Sequence, residues 1–171
     1  RNGTGWMEMQ KLKASDAASG DVLGCAVAIS GTVAVLGALH DFPQGIYDAG
    51  SAYVFELVGG VWVQTAKLWA SDAGPAEHFG WAVAVSGNRI VVTARDDGHA
   101  GAYSGSAYVF EFIGGAWTET AKLIASDAAY ADAFGTSVSI DGDVVIVGAP
   151  SVDGPAGSDV GAAYVFEWGG V

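Results

Sequence analysis

The sequence predicts an all-β protein made of three consecutive copies of one unit of about 55 residues, each a four-stranded antiparallel sheet. One observation behind this is a set of tryptophans, Trp6, Trp62 and Trp117, spaced 56 and 55 residues apart. A second is the alternation of apolar and polar side chains with period two, bounded by glycine-containing turns. A third is that no segment carries apolar residues at helical spacing between capping residues.

Several short motifs return with the same spacing and set the repeat boundaries at approximately 6–60, 61–115 and 116–171. Each copy has a lysine after its tryptophan, then an Ala-Ser-Asp triplet, then a Leu-Gly or Phe-Gly pair. A run ending in Ala-Tyr-Val-Phe-Glu begins at Ser51, Ser106 and Ala162. We therefore interpret residues 1–171 as a single repeat domain.

The third copy shows the four predicted strands most clearly. The first, Trp117 to Ile124, alternates between an apolar and a polar face, as a half-exposed strand does. The second, Gly135 to Ile140, leads through a tight turn into the third, Val144 to Gly148, which is apolar at nearly every position. The fourth runs from Ala162 to Trp168. Apolar inner strands with one amphipathic outer strand are typical of β-propeller blades, because blades stack face to face.

Composition excludes several classes of partner. The 19 acidic residues outnumber the 7 basic ones and give a formal charge of -12, which repels nucleic acid and anionic membranes. Apolar stretches such as Val33 to Leu39 are much shorter than the ~20 residues of a membrane helix, so we expect no membrane insertion. The single cysteine, Cys25, can form neither an intrachain disulfide nor a cysteine metal cluster.

The third copy resembles an FG-GAP repeat. The resemblance lies in Phe134-Gly135, in the Gly-Ala-Pro motif that ends at Pro150, and in the run from Gly161 to Phe166. It extends over nearly the whole chain, from Trp6 to Gly170. The family includes the blades of the integrin alpha-chain head and many bacterial extracellular proteins. The resemblance implies a propeller that is usually extracellular and serves in adhesion or ligand binding.

The chain departs from the family at the calcium loop. Calcium-binding FG-GAP blades carry Asp-x-Asp-x-Asp-Gly between the Phe-Gly and Gly-Ala-Pro strands. Here the connection is Ser-Gly-Thr, Ser-Gly-Asn or Asp-Gly-Asp. A calcium ion takes about six to eight oxygen ligands, which a tight turn does not supply. We therefore expect no cofactor, and no calcium at these turns.

Two groups of residues are candidates for binding. Acidic pairs five residues apart precede the Phe-Gly position and could hold cations, or could cap turns through side-chain hydrogen bonds; they are Asp16, Asp21, Asp72, Glu77, Asp127 and Asp132. The long loops before the Tyr-Val-Phe strands differ between copies, and aromatic rings beside carboxylates suit sugar recognition. Their candidate ligand-binding residues are Asp41, Tyr47, Asp48, Asp96, Asp97, His99, Tyr103, Asp153 and Asp159. Solvated loops without a ligand are the alternative.

Three repeats are fewer than the about four to eight blades of a closed propeller. In a propeller, the tryptophan-containing strand commonly belongs to the blade formed by the preceding repeat. The segment from Trp6 to Lys13 would then have no sheet of its own, and the third sheet would have no outer strand. We expect either a longer propeller or self-assembly into a ring or filament. The expected assembly residues are Trp6, Met7, Met9, Lys11 and Leu12.

The sequence therefore favours a non-catalytic extracellular propeller module for adhesion or structural assembly, with a homo-oligomer or a longer propeller as its context. A lectin-like propeller that binds a glycan, another small ligand or a protein is the alternative. A glycosidase-type enzyme is the third hypothesis. It would need two carboxylates at a defined separation across a cleft, and the sequence singles out no such pair. The histidines His40, His78 and His99 fall at unrelated repeat positions, without metal-ligand spacing.

Overall fold

The computed structural model describes residues 5–169, which form eleven β-strands and one short 3-10 helix, Pro43–Gly45. The strands, in chain order, are β1 Val27–Ser30, β2 Val33–Ala38, β3 Ser51–Val58, β4 Val61–Leu68, β5 Phe79–Ser86, β6 Arg89–Ala94, β7 Ser106–Ile113, β8 Ala116–Leu123, β9 Ser137–Asp141, β10 Val144–Ala149 and β11 Ala162–Glu167. The all-β prediction is confirmed. The 3-10 helix lies in a loop, where Pro43 fixes one backbone angle.

The strands form three antiparallel sheets, here called blades 1, 2 and 3. Blade 1 has the order β1-β2-β3-β4, blade 2 the order β5-β6-β7-β8, and blade 3 the order β9-β10-β11. The tryptophan-containing strands β4 and β8 pair with the sheets that precede them, as expected. Blade 3 therefore has three strands within the described residues, and the outer edge of β11 carries no paired strand there.

The segment from Trp6 to Lys13 does not form the strand expected at the start of the first repeat. Its counterparts β4 and β8 form strands because they lie beside β3 and β7. In blade 1 that outer position is already occupied by β4, so the segment finds no free outer edge in blade 1. It hydrogen-bonds instead through the Gln10 side chain to the backbone of Trp62, at 2.8 and 2.9 Å.

Glycine is required at two kinds of position in this fold. The hairpin turns place Gly31, Gly87 and Gly142 at φ of 57°, 57° and 56°, which side-chain-bearing residues adopt at a cost. The glycine of the Phe-Gly motif in blade 2, Gly80, lies against blade 1 at φ 95°. A Cβ there would approach the Ser51 carbonyl oxygen to 2.4 Å. The motif therefore brings the backbones of consecutive blades into close contact.

The core lies between the blades. One cluster joins Val35 and Val54 of blade 1 with Ile90 and Val92 of blade 2, all four fully buried. A second joins Val91 of blade 2 to the following sheet, including the buried residues of β10. Each blade thus has a leading face, which contacts the preceding blade, and a trailing face, which contacts the next. Strand β6 is apolar because blades 1 and 3 cover its two faces.

Candidate functional site

A lysine, two aspartates and a tyrosine form a hydrogen-bonded network in blade 1. Lys67 Nζ, from β4, lies 2.6 Å from Asp16 Oδ2 and 2.7 Å from Asp41 Oδ2. The Tyr53 hydroxyl donates to Asp16 Oδ1 at 2.9 Å, and the lysine ammonium lies 5.2 Å from the Tyr53 ring centroid. Because β4 comes from the second repeat, this network joins consecutive repeats within one sheet.

Blade 2 repeats the same network one copy later. Lys122 Nζ, from β8, lies 2.7 Å from both Asp72 Oδ2 and Asp97 Oδ2. The Tyr108 hydroxyl shares its one proton between Asp72 Oδ1, at 2.9 Å, and Asp97 Oδ2, at 3.1 Å. The Asp97 side chain is only 3% exposed, so its charge is compensated by Lys122, Tyr108 and a backbone N–H rather than by water.

The electrostatics of these networks favour the ionised form of Asp16, Asp72 and Asp97, whose pKa values lie below the ordinary value. The hydrogen bond from Lys67 lowers the pKa of Asp16. Burial raises the pKa of Asp97, but the hydrogen bonds from Lys122 and from the His99 backbone N–H outweigh it, so that the pKa lies below its ordinary value. In blades 1 and 2 a lysine ammonium therefore already lies where a cation would bind to Asp16 or Asp72.

The corresponding network in blade 3 contains the tyrosine and the aspartate but no lysine among the described residues. The Tyr164 hydroxyl donates to Asp127 Oδ1 at 2.8 Å. Burial, together with that carboxylate, raises the pKa of Tyr164 to about 12. The lysine at the matching repeat position is Lys11, which is exposed and makes no ion pair within residues 5–169.

The second acidic residue of each predicted pair caps its own loop. Asp21 Oδ2 accepts a hydrogen bond from Ala18 N at 2.6 Å, and Asp132 Oδ2 accepts one from Ala129 N at 2.7 Å. Glu77 does the same through Oε2 for the backbone N–H of residue 74, at 2.7 Å. These contacts match the turn-capping interpretation, and cation binding at the six acidic residues stays a prediction.

The long-loop candidates do not converge on one site. Asp41 and Asp97 are buried in the lysine networks, at 6% and 2% exposure. Tyr47 and Tyr103 are exposed, whereas the His99 backbone N–H donates to Asp97 Oδ1 at 2.8 Å. In blade 3, Asp153 Oδ1 accepts from the backbone N–H of Asp159 at 3.0 Å. Ligand binding by these loops stays a prediction.

Two loop candidates do meet residues that the sequence reasoning missed. Asp48 Oδ1 lies 3.6 Å from His40 Nδ1, and Asp96 Oδ2 lies 2.6 Å from His78 Nδ1. The two histidine rings meet edge to face with centroids 5.0 Å apart. The histidines are 38 positions apart and occupy different repeat positions, so only the packing of blade 2 on blade 1 brings them together. No sequence signal could have revealed this.

The assembly candidates lie on an exposed segment. Trp6, Met7 and Met9 are 105%, 78% and 84% exposed, whereas Leu12 is half-buried against blade 1. Several large apolar side chains close together are seldom left exposed to water. The segment is thus available to a partner.

Two blade faces carry exposed apolar side chains. On the leading face of blade 1, Val27 and Ile29 are 68% and 65% exposed. On the trailing face of blade 3, Ile146 and Val165 are exposed, although Val91, at the same position in blade 2, is fully buried. The open leading face of blade 1 and the open trailing face of blade 3 lie at opposite ends of the stack. They are the two kinds of face that pack together between consecutive blades.

The match to known sequences follows the same units. The sequence profile of the FG-GAP repeat family matches residues 6–55, 62–110 and 117–166. The chain belongs to the FG-GAP repeat family. A search of curated proteins returned no match.

Membership places the chain among β-propeller-type modules, and the three antiparallel sheets agree with three propeller blades. Modules of this family are typically extracellular and typically non-catalytic. Among residues 5–169, no helix has the length and apolar character needed to cross a membrane.

Proposed function

We propose that this chain is a non-catalytic, extracellular β-propeller module for structural assembly or adhesion, and that it completes its propeller with another copy of itself. The observation that carries the proposal is a matched pair of incomplete networks. Asp127 and Tyr164 in blade 3 have no lysine within the described residues, and Lys11 has no carboxylate there. In blades 1 and 2, strands β4 and β8 bring the lysine of the following repeat to the aspartate of the preceding sheet.

The pairing of β4 and β8 fixes a register for residues Trp6 to Lys13, here called the exchanged segment. Tyr53 lies opposite Lys67 in blade 1, and Tyr108 lies opposite Lys122 in blade 2. By the same repeat positions, Lys11 of one copy lies opposite Tyr164 of another. One residue earlier, Gln10 lies opposite Val165. This antiparallel pairing brings the ammonium of Lys11 to the carboxylate of Asp127 and satisfies the backbone edge of β11.

A second polar contact supports the same register. The Glu119 carboxylate of β8 accepts hydrogen bonds from Ser71 N at 2.9 Å and from Ser71 Oγ at 2.7 Å. In blade 1, Gln64 Oε1 accepts from the matching Ser15 N at 2.9 Å. Glu8 holds the repeat position of Gln64 and Glu119 in the exchanged segment. Its hydrogen-bond partner in blade 3 would be Ser126, the serine of the third Ala-Ser-Asp triplet.

The blade faces support pairing between copies. Val27 and Ile29 of one copy would pack on Ile146 and Val165 of another, as blade 2 packs on blade 1. The turns also match, because Ser86 Oγ accepts from the backbone N–H of residue 142 at 3.1 Å. Asp141 holds the serine position in blade 3 and would offer a carboxylate to the next turn.

The pairing joins the two different ends of the stack, so it is heterologous. If the rotation closes after two copies, the result is a six-bladed ring, within the size range of known propellers. If it does not close, the result is a filament. The same surfaces would serve a further FG-GAP blade if the chain belongs to a longer propeller.

Charge reversal tests the proposal. We expect the wild-type chain to elute with a molar mass that is a multiple of 17.3 kDa in light scattering coupled to gel filtration. K11E and D127K should each shift the mass toward one chain, because each places like charges together. An equimolar mixture of K11E and D127K should restore the assembly, because every interface then pairs opposite charges.

K13E is the matched control, since Lys13 is exposed and two positions further along the segment. A monomeric wild-type chain would contradict self-assembly. Equal loss of assembly in K13E and K11E would contradict the proposed register, and so would failure of the mixture to reassemble.

A further inference from the structure

We infer that His40, Asp48 and His78 form a binding site for a divalent transition metal ion such as Zn²⁺, at the boundary between blades 1 and 2. Each residue offers one ligand atom, and these atoms lie within 4.8 Å of one another. His40 and Asp48 come from the loop between β2 and β3, whereas His78 comes directly before β5. The site is independent of the proposed assembly, since neither the exchanged segment nor β11 contributes to it.

The spacing of the ligand atoms is close to that of a bound ion. Zinc binds imidazole nitrogen at about 2.0–2.1 Å and carboxylate oxygen at about 2.0–2.2 Å, so tetrahedral ligand atoms lie about 3.4 Å apart. The His40 Nδ1–Asp48 Oδ1 distance is already 3.6 Å. All the ligand atoms lie within 4.8 Å of one another, and rotation of the His40 side chain, which is 40% exposed, would shorten the remaining separations.

A carboxylate behind His78 fits the role of an outer partner. Asp96 Oδ2 lies 2.6 Å from His78 Nδ1, which places the ring proton on Nδ1 and leaves the Nε2 lone pair free for a metal. The other oxygen of Asp96 faces Arg95 Nη1 at 3.4 Å. Arg95 itself is held over the ring of Trp81, 4.5 Å from its centroid. Asp96 is thus fixed from both sides.

The fold does not require these residue types. His78 N donates to the Asp48 carbonyl at 3.3 Å, and at the next blade boundary Ala133 N donates to the Tyr103 carbonyl at 3.1 Å. All four residues have positive φ, between 48° and 61°. The same backbone conformation therefore carries aspartate and histidine at the boundary of blades 1 and 2, and tyrosine and alanine at the boundary of blades 2 and 3. The ligand set is an addition to this conformation.

The ligand types point to a class of metal. Two imidazoles and one carboxylate suit Zn²⁺ and its neighbours Co²⁺, Ni²⁺ and Cu²⁺, whereas Ca²⁺ and Mg²⁺ prefer sets of oxygen ligands. Asp48 and Asp96 outweigh the single positive charge of Arg95, so the local field favours a cation. Three protein ligands leave a fourth position for water or for a group from a bound partner.

Calorimetric titration with ZnCl₂ and with CoCl₂ tests the inference. We expect one ion per chain, reversed by EDTA, with visible d–d absorption for Co²⁺, and no competition from Ca²⁺. D96N should weaken binding roughly 10- to 100-fold, as loss of an outer partner does. H40A and H78N should weaken it further. Asparagine at position 78 tolerates the positive φ of 55°, so H78N keeps the backbone while removing the ligand.

His99 provides the matched control, because it lies outside the cluster. H99A should bind Zn²⁺ as the wild type does, and circular dichroism should show that all variants keep the same strand content. The inference is overturned if the wild type shows no saturable Zn²⁺ binding. It is equally overturned if H78N and H40A bind as tightly as H99A, since the ion would then bind elsewhere.

Discussion

Removing Lys122 tests whether the lysine networks hold the repeats together. In the variant K122A, Asp97 keeps its charge with a side chain that is 3% exposed, and it loses the ammonium 2.7 Å away. Removing one partner of a buried ion pair costs about 3–5 kcal/mol. Two features reduce this cost here. Tyr108 still donates to Asp97, and water can enter beside Asp72, whose side chain is 42% exposed.

We therefore expect K122A to lower the free energy of unfolding by about 2–4 kcal/mol. Urea unfolding at one fixed protein concentration measures this, and the slope with denaturant should stay unchanged. K13A is the control, because Lys13 is exposed and unpaired within the described residues, and its effect should stay within about 0.5 kcal/mol.

A double variant separates the buried charge from lost packing. Adding D97N to K122A removes the uncompensated charge, so the double variant should be more stable than K122A alone. If K122A is no less stable than K13A, or if D97N gives no recovery, the network does not stabilise the sheet by compensating the buried charge of Asp97.

Two further predictions follow from burial and backbone geometry. Below pH 3.8, the ordinary pKa of aspartate, the free energy of unfolding should fall, because Asp72 and Asp97 have lowered pKa values and the unfolded chain takes up protons first. Denaturant titrations from about pH 5 to about pH 2 measure this, and a flat profile would contradict it. Gly80→Ala should cost about 3 kcal/mol or more in thermal or urea unfolding, because its Cβ would meet the Ser51 carbonyl oxygen at 2.4 Å. Gly59→Ala should cost only about 1 kcal/mol, because its Cβ would meet no heavy atom of the described residues within 4 Å apart from its chain neighbours. Equal losses in the two variants would argue against close contact between the blades.

The strands could be predicted because their signals are local. Alternation and glycine turns predicted a strand from Trp117 to Ile124, and the structure has β8 at Ala116–Leu123. The second strand starts later than predicted, at Ser137 instead of Gly135. Gly135 still donates to the Gly148 carbonyl at 3.0 Å, but its φ of 92° interrupts the extended geometry.

The sites could be predicted only in part, because they depend on contacts between repeats. The recurring lysine, aspartate and tyrosine were each visible, but their network follows from the pairing of β4 with β3. The acidic pairs looked equivalent in sequence, yet Asp16 binds a lysine while Asp21 caps a turn. The contact between His40 and His78 leaves no trace in spacing, since it arises between blades.

Cysteine crosslinking tests strand exchange most directly. In a Cys25→Ser background, one chain carries Gln10→Cys and a second carries Val165→Cys, the two positions that the repeat register places opposite each other. A chain with Ser139→Cys on β9 is the control for chance collisions, because Ser139 is also exposed. Strand exchange predicts rapid disulfide formation between the Q10C and V165C chains, and little between the Q10C and S139C chains. Absence of the first product, or equal yields of the two, would contradict strand exchange.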